Sequence, residues 1–273
     1  MPTPSSHDLP VRGGNLHYEV RGTGPLLLVL GSPMDAAAFT PFAEALAGDR
    51  TVVTYDPRGI SASTLDDPTE DSTPALRADD VAALLDALGA ESPVDVFGSS
   101  GGAVTGLALA ERHPARVRTL VAHEPPLLTL LPDAEARHAQ VDDMVATYQR
   151  DGRGAAWLKF MTFVGFVKEG EEGAPVPQPD EPSPRDRANT ERFFVHEMHG
   201  TTRYRPDIAA LTAGPARIVV GIGAASGHLL THDTSVALAG QLGTQPVEFP
   251  GDHGGFLGET EEFAEVLRKV LTG

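Results

Sequence analysis

The chain has 273 residues, of which 41% are hydrophobic and 22% charged, as in an ordinary globular protein that can bury a sizeable core. Its formal net charge of −17 argues against nucleic acid or an anionic membrane as a partner, because both attract cationic surfaces. It contains no cysteine, which excludes disulfides, thiolate catalysis and cysteine-ligated zinc. The partner we expect is a small-molecule substrate, and the composition leaves the choice between monomer and homo-oligomer open.

The N-terminal sequence MPTPSSHDLP differs from a secretory signal. It carries prolines and an acid where a signal peptide has a basic start and then an apolar segment. The longest early apolar run, residues 26–30, is far too short to span a bilayer. We therefore expect a cytoplasmic protein without a membrane segment.

Apolar runs alternate with helical periods in the first and last parts of the chain. The first of them, residues 11–20, is interrupted by two glycines, which predicts a hairpin. Further strands are predicted at 25–30, 51–55, 94–97, 117–122, 216–220 and 246–249. Helices are predicted at 39–46, 73–88, 103–112, 235–242 and 259–271. This alternation predicts an α/β fold, with a mostly parallel, doubly wound sheet of the eight-stranded type and helices on both faces.

The alternation stops near residue 132 and returns after residue 212. We therefore predict one core domain, built from residues 1–131 and 213–273, with an inserted helical cap, or lid, at 132–212. Within the insertion, residues 169–184 carry five prolines, which block both helix and central strand and so predict an exposed loop.

The insertion also concentrates aromatic residues, with eight of the sixteen in the chain. These side chains either dock the insertion on the core or line a substrate pocket, and both roles can hold together. The candidates for substrate binding are Trp157, Phe160, Phe163 and Phe194.

Ser100 is the candidate nucleophile. The stretch Gly98-Ser99-Ser100-Gly101-Gly102 places glycine two residues before and two residues after Ser100, whereas Ser99 has Phe97 at the first of these positions. In a tight turn between a strand and a helix, side chains at the flanking positions would clash, and glycine relieves the clash. The free N–H groups of the following helix favour negative charge at the serine oxygen. Chance matches to so short a motif are common, so its position between a predicted strand and a predicted helix is what supports it.

His253 is the candidate base. It lies in a glycine-rich loop, Gly251-Asp252-His253-Gly254-Gly255, between the last predicted strand and the last predicted helix. Open α/β sheets bind ligands at the carboxyl ends of their strands. An imidazole there can take the proton of a serine and return it to the leaving group. Two further histidine groupings, at 196–199 and 228–232, lack a zinc-binding pattern, and we expect no metal and no cofactor.

With these motifs, the chain resembles the α/β-hydrolase fold superfamily, specifically its serine-nucleophile esterases and lactonases, over nearly its whole length. Tyr55-Asp56-Pro57-Arg58-Gly59-Ile60, with Ser63, is similar to the family's D-x-R-G-x-G-x-S segment, although Ser61 stands in place of the second glycine. Leu30-Gly31-Ser32-Pro33 is similar to the family's oxyanion loop, with leucine in place of the usual histidine. The resemblance implies that the backbone N–H groups of Ser32 and Gly101 form the oxyanion hole, and an ordinary turn is the alternative for Ser32.

The acid that orients the histidine is where the sequence departs most from the family. The usual place is the loop after the strand at 216–220, and residues 221–228 contain no carboxylate. The next acid, Asp233, is most simply a helix N-cap. Glu124 follows the strand at 117–122, where haloalkane dehalogenases of this family carry their acid. The resemblance thus favours Glu124 as the third catalytic residue and leaves Asp233 as the alternative.

The expected activity is that of a serine hydrolase, which cleaves a carboxylic ester or lactone of a small, largely apolar substrate through an acyl-enzyme. Related chemistries of the same fold remain open, namely C–C bond hydrolysis, perhydrolysis and lyase activity. A small-molecule-binding protein without turnover is the alternative from another class.

Overall fold

A computed structural model describes residues 4–167 and 182–273. The strands found there are β1 (Ser5–Val11), β2 (Gly14–Arg21), β3 (Leu26–Leu30), β4 (Thr51–Tyr55), β5 (Thr64–Leu65), β6 (Val94–Ser99), β7 (Val117–His123), β8 (Arg217–Gly223) and β9 (Val247–Phe249). They form one sheet in the order β1-β2-β4-β3-β6-β7-β8-β9, and β5 pairs with β2. The pairs of β2 with β1, β4 and β5 are antiparallel, and all pairs from β4 to β9 along this order are parallel.

The helices lie between the later strands and after the last one. They are α1 (Thr40–Leu46), α2 (Pro74–Ala87), α3 (Gly101–Arg112), α4 (Ala134–Asp151), α5 (Arg153–Val164), α6 (Pro184–Glu191), α7 (Met198–Thr202), α8 (Ile208–Ala213), α9 (Leu230–Leu242), α10 (Gly255–Gly258) and α11 (Thr260–Thr272). A π-helix, Arg192–Glu197, joins α6 to α7. Short 3₁₀ turns occupy Ala37–Phe39, Pro114–Arg116 and Leu128–Leu130.

The sheet buries both of its faces, as an apolar run such as that of β3 predicts. Leu27 and Val29 pack into a core with α1 and α11, whereas Leu28 and Leu30 pack into the opposite core with α2, α3 and α9. Successive side chains of a strand point to opposite faces, so a strand that is covered on both sides must be apolar throughout.

The predicted fold class is confirmed, since the sheet is mostly parallel and carries helices on both faces. Eight strands follow the main order and the two-residue β5 is the ninth in the described residues. Several predicted boundaries differ, and the one that bears on the site is that of α9, which begins at Leu230 rather than at residue 235. Asp233 therefore lies within the first turn of α9 and is not its N-cap, which is Leu229.

Between β7 and β8 the chain leaves the sheet and forms the helices α4 to α8. Their apolar faces form a third cluster, which includes Val141, Met144, Phe194 and Met198. Residues 168–181, which hold most of the predicted proline-rich loop, lie outside the described residues. At the end of that predicted loop, Ser183 caps α6 through reciprocal hydrogen bonds with Asp186.

None of the helices in the described part of the chain is both long enough and apolar enough to cross a membrane.

A buried ion pair lies at the amino end of β6, the end of the strand that is remote from Ser100. The Asp95 carboxylate is fully buried and accepts hydrogen bonds from Arg50 Nη1 at 2.7 Å and Arg118 Nε at 2.9 Å. We expect Asp95→Asn to lower the free energy of unfolding by about 3 kcal/mol, because it leaves the buried Arg50 without its counter-charge. Urea denaturation measures this change.

The matched control is Asp86→Asn, which removes the exposed partner of Arg116. An exposed ion pair contributes at most ~1 kcal/mol, so this variant should unfold at nearly the wild-type urea concentration. Equal losses in the two variants would contradict the assignment of Asp95 as a stability determinant.

Candidate active site

Ser100 occupies a strained turn between β6 and α3. Its backbone angles are φ 56° and ψ −125°, a conformation that residues with a side chain rarely adopt. The glycines on either side make the turn possible. A Cβ on Gly98 would lie 2.5 Å from the Gly102 carbonyl oxygen, and one on Gly102 would lie 2.0 Å from the Leu30 carbonyl oxygen. The glycine spacing predicted from sequence therefore corresponds to a close approach of helix and strand.

The register of the sheet brings Ser100 and Glu124 to the same edge. Ser99 pairs with His123, and His123 pairs with Gly221, so β6, β7 and β8 end side by side. The Ser100 N–H donates to the His123 carbonyl oxygen at 2.9 Å, and the Glu124 N–H donates to that of Gly221 at 3.0 Å. Each residue thus leaves its strand at the same level of the sheet.

The Glu124 side chain is buried and fully hydrogen-bonded. Its Oε2 lies 2.6 Å from His253 Nδ1 and accepts a second hydrogen bond from Thr231 Oγ1 at 2.8 Å. Its Oε1 accepts from the Gly223 N–H at 2.8 Å. Burial of a carboxylate is costly unless it is paired and hydrogen-bonded, and these three contacts meet that requirement.

The charge state of Glu124 determines the tautomer of His253. Burial by itself raises the pKa of Glu124, but the hydrogen bond with His253 and the other contacts outweigh it and lower this pKa to about 2. The carboxyl group is therefore ionised near neutral pH and can only accept hydrogen bonds. Nδ1 of His253 must carry the proton of the 2.6 Å hydrogen bond, which leaves Nε2 as the basic nitrogen of the neutral ring.

Asp233, the alternative acid, lies elsewhere. Its exposed side chain is 3.5 Å from Nδ1 of His232, its neighbour in α9. The structure therefore brings Glu124, and not Asp233, to His253.

A cavity of about 230 Å³ lies beside these residues and is mostly apolar. Ser100 and His253 both line it. No direct hydrogen bond joins the Ser100 hydroxyl to the His253 ring among the described residues, and such contacts often tighten only when substrate is bound.

Ser32 and Gly101, the predicted oxyanion residues, also line the cavity. They are neighbours, since a Cβ built on Gly101 would lie 2.7 Å from the Ser32 carbonyl oxygen. Gly101 is the first residue of α3, where a backbone N–H has no partner within the helix. Both residues therefore belong to the wall next to Ser100.

Three of the four aromatic residues predicted to bind substrate line the cavity, namely Trp157, Phe160 and Phe163. Phe194 is not among the lining residues in the described part of the chain. It is fully buried behind the cavity wall and stacks on Tyr148 with ring centroids 5.3 Å apart.

Sequence reasoning did not single out several residues of this site. Thr231 contacts Glu124, and Phe166, Phe193 and Glu197 line the cavity. The aromatic content of the insertion pointed to Phe166 and Phe193 as a class, but no local pattern separated them from their neighbours. Thr231 and Glu197 carry no sequence signal, because their roles depend on residues far away in the chain.

The family follows from comparison with known proteins. Residues 24–164 match the family model described as "alpha/beta hydrolase fold". Over 268 residues the chain is 38% identical to the uncharacterized hydrolase YraK of Bacillus subtilis (strain 168). The aligned region covers 96% of this chain and 94% of that protein. The chain belongs to the α/β-hydrolase fold family.

Solved structures agree with this α/β-hydrolase fold. A thermophilic esterase from Thermogutta terrifontis matches with a TM-score of 0.74 at 20% identity, over 99% of this chain and 98% of that chain. The enol-lactonase from Burkholderia xenovorans LB400 matches with a TM-score of 0.66 at 18% identity, over 98% of this chain and 100% of that chain. At these identities the likeness concerns the fold alone.

The low pKa of Glu124 predicts how the stability of this α/β-hydrolase depends on pH. The carboxyl pKa is about 2 in the folded protein against an ordinary value of 4.5. Glu124 therefore contributes stability that is complete above pH 4.5 and is lost as the pH falls towards 2, because the unfolded chain binds the proton first. We expect Glu124→Gln to make the free energy of unfolding less dependent on pH in this window, as measured by urea denaturation at several pH values.

Glu135→Gln, which changes an exposed carboxylate of α4, serves as the control and should follow the wild-type pH dependence. If Glu124→Gln also follows the wild-type dependence, the hydrogen bonds to Glu124 do not lower its pKa.

Proposed function

We propose that this α/β-hydrolase is a serine hydrolase that cleaves a carboxylic ester or lactone of a small, largely apolar substrate. The observation that carries the proposal is the 2.6 Å hydrogen bond between Glu124 and His253 Nδ1, beside the cavity that Ser100 lines. A serine hydroxyl is a poor nucleophile by itself and needs an oriented base, and this hydrogen bond orients one.

In the proposed mechanism, His253 Nε2 takes the proton of Ser100 as the hydroxyl oxygen attacks the carbonyl carbon. The imidazolium formed is stabilised by the ionised Glu124 and then gives the proton to the leaving alcohol. The acyl group remains on Ser100. Water, activated by the same His253, then attacks the acyl-enzyme, and the acid is released as the proton returns to Ser100.

The oxyanion of each tetrahedral intermediate would be bound by the backbone N–H groups of Ser32 and Gly101. Backbone donors depend on geometry and not on side-chain identity, so leucine at position 30 is compatible with this role. The positive end of α3, which begins at Gly101, adds favourable potential at the same point.

The insertion would act as a cap over the cavity and bind the apolar part of the substrate. This part of the proposal rests on the aromatic residues Trp157, Phe160, Phe163 and Phe193, which come from α5 and the π-helix and line the same cavity as Ser100. A mostly apolar wall favours a hydrocarbon group over a polar one.

Covalent labelling tests the nucleophile. A fluorophosphonate should modify Ser100, and a tryptic digest should place the adduct on the peptide that contains it. Ser100→Ala should abolish both labelling and the hydrolysis of p-nitrophenyl esters. Turnover of esters that survives in Ser100→Ala would overturn the assignment, and a wild-type protein that turns over no ester or lactone would favour a binding protein.

The two acids give a matched test of the orienting residue. We expect Glu124→Gln to reduce kcat roughly 10³–10⁴-fold with p-nitrophenyl esters, because the amide no longer holds His253 in the required tautomer. Asp233→Asn removes a carboxylate of α9 that lies apart from His253, and its kinetics should match the wild type. Near-normal kcat in Glu124→Gln would contradict the mechanism.

A further inference from the structure

Glu197 is a buried carboxylate in the wall of the otherwise apolar cavity. It ends the π-helix Arg192–Glu197, its relative exposure is 2%, and it lines the cavity together with Phe193 of the same π-helix. π-Helical turns occur frequently at functional sites, where they redirect side chains. A buried carboxylate in this wall is therefore a candidate for contact with the substrate.

The Glu197 carboxylate makes no hydrogen bond among the described residues. Its Oε2 has no partner, and its Oε1 lies 3.8 Å from Arg77 Nη1, which is beyond hydrogen-bond distance. A buried polar group without a partner is costly, so nearly all such groups in folded proteins are bonded to protein, water or ligand. The Glu124 carboxylate differs in this respect, because its two oxygens accept three hydrogen bonds.

Two guanidinium groups lie near the Glu197 carboxylate and offset part of the cost of burying it. Burial raises its pKa, and the nearby guanidinium groups of Arg77 and Arg192 oppose that rise. Arg77 is itself fully buried and donates to the neutral oxygens of Ser72 and Thr201. Positive charge is therefore present beside Glu197, but neither guanidinium group forms a hydrogen bond with its carboxylate among the described residues, and Arg192 Nε and Nη2 also lack partners there.

We propose that Glu197 is a specificity-determining residue, whose carboxylate accepts a hydrogen bond from a hydroxyl group on the part of the ester that lies in the cavity. This inference rests on the proposed function and adds the substrate class, a hydroxylated hydrocarbon ester. A hydroxyl group is a neutral donor with little polar surface, which suits one acceptor in an apolar wall. An ammonium group would add a third cation beside two guanidinium groups.

The test compares pairs of esters in which a hydroxyl replaces a methyl group of the same size. One arm places it on the acyl chain, as in p-nitrophenyl 6-hydroxyhexanoate against p-nitrophenyl heptanoate. The other places it on the alcohol, as in 6-hydroxyhexyl acetate against heptyl acetate. Esters with shorter and longer hydrocarbon chains in each arm place the hydroxyl at different depths in the cavity. In the acyl arm, p-nitrophenyl 6-aminohexanoate tests an ammonium group at the same position.

We expect the wild-type kcat/KM to favour the hydroxylated ester in at least one arm by about tenfold, the effect of a hydrogen bond to a buried charged group. The ammonium ester should show no such preference. Glu197→Met should remove the preference, which is read from the hydroxyl-to-methyl ratio of kcat/KM within the variant and not from its absolute activity. Glu197→Gln, which keeps both the size and an acceptor oxygen, should retain part of the preference.

Met198→Leu is the matched control, because Met198 lines the same cavity without an oxygen or nitrogen in its side chain. It should leave the hydroxyl-to-methyl ratio unchanged. The inference is overturned if no hydroxylated ester is preferred in either arm at any length, or if Glu197→Met keeps the wild-type ratio. Should Glu197→Met fail to fold, the wild-type ratios and Glu197→Gln decide. An absence of turnover with every ester is a different result, since it overturns the proposed function itself.

Discussion

A carboxylate buried at the edge of the sheet must be fully hydrogen-bonded, and the architecture of the site follows from this constraint at Glu124. Its donors come from three separate elements: Gly223 ends β8, Thr231 lies in the first turn of α9, and His253 follows β9. All three elements must be placed correctly before the carboxylate is satisfied. β8 thus supplies one donor, the Gly223 N–H, to the acid that follows the neighbouring strand β7.

The parallel sheet provides that placement because neighbouring strands end at one level. Ser100 and Glu124 both follow paired strand ends and both have positive φ, at 56° and 49°. Such backbone strain is tolerated only where the surrounding structure holds it. Here two apolar cores, one on each face of the sheet, hold the strands from which these residues emerge.

The insertion is held on this scaffold by polar contacts. Ser61 has φ 53° and hydrogen-bonds to Asp35 in one direction and to Asn189 of α6 in the other. Arg77 of α2 donates to Thr201 of α7. These contacts join the core to α6 and α7 of the insertion, so Ser61 has a structural role.

The sequence by itself determined the α/β class and the position of the nucleophile turn. Both depend on local rules: apolar runs alternate with helical periods, and Ser100 needs small residues at Gly98 and Gly102, where helix and strand approach closely. The glycine-rich loop of His253 could be placed at the correct sheet edge for the same reason, since the carboxyl ends of parallel strands share one edge. The start of α9 could not be predicted as well, because its first turn carries no polar cap.

Only the tertiary structure decided which side chains meet. Glu124 and Asp233 were the two candidate acids, and the side-by-side pairing of β7, β8 and β9 brings Glu124 within 2.6 Å of His253, 129 residues further along the chain. In the same way, Phe193 faces the cavity while the adjacent Phe194 is buried behind it. The burial of Glu197 Oε2 without a hydrogen-bond partner is likewise a property of the folded chain alone. Contacts between residues so far apart depend on the whole fold, and no local pattern in the sequence encodes them.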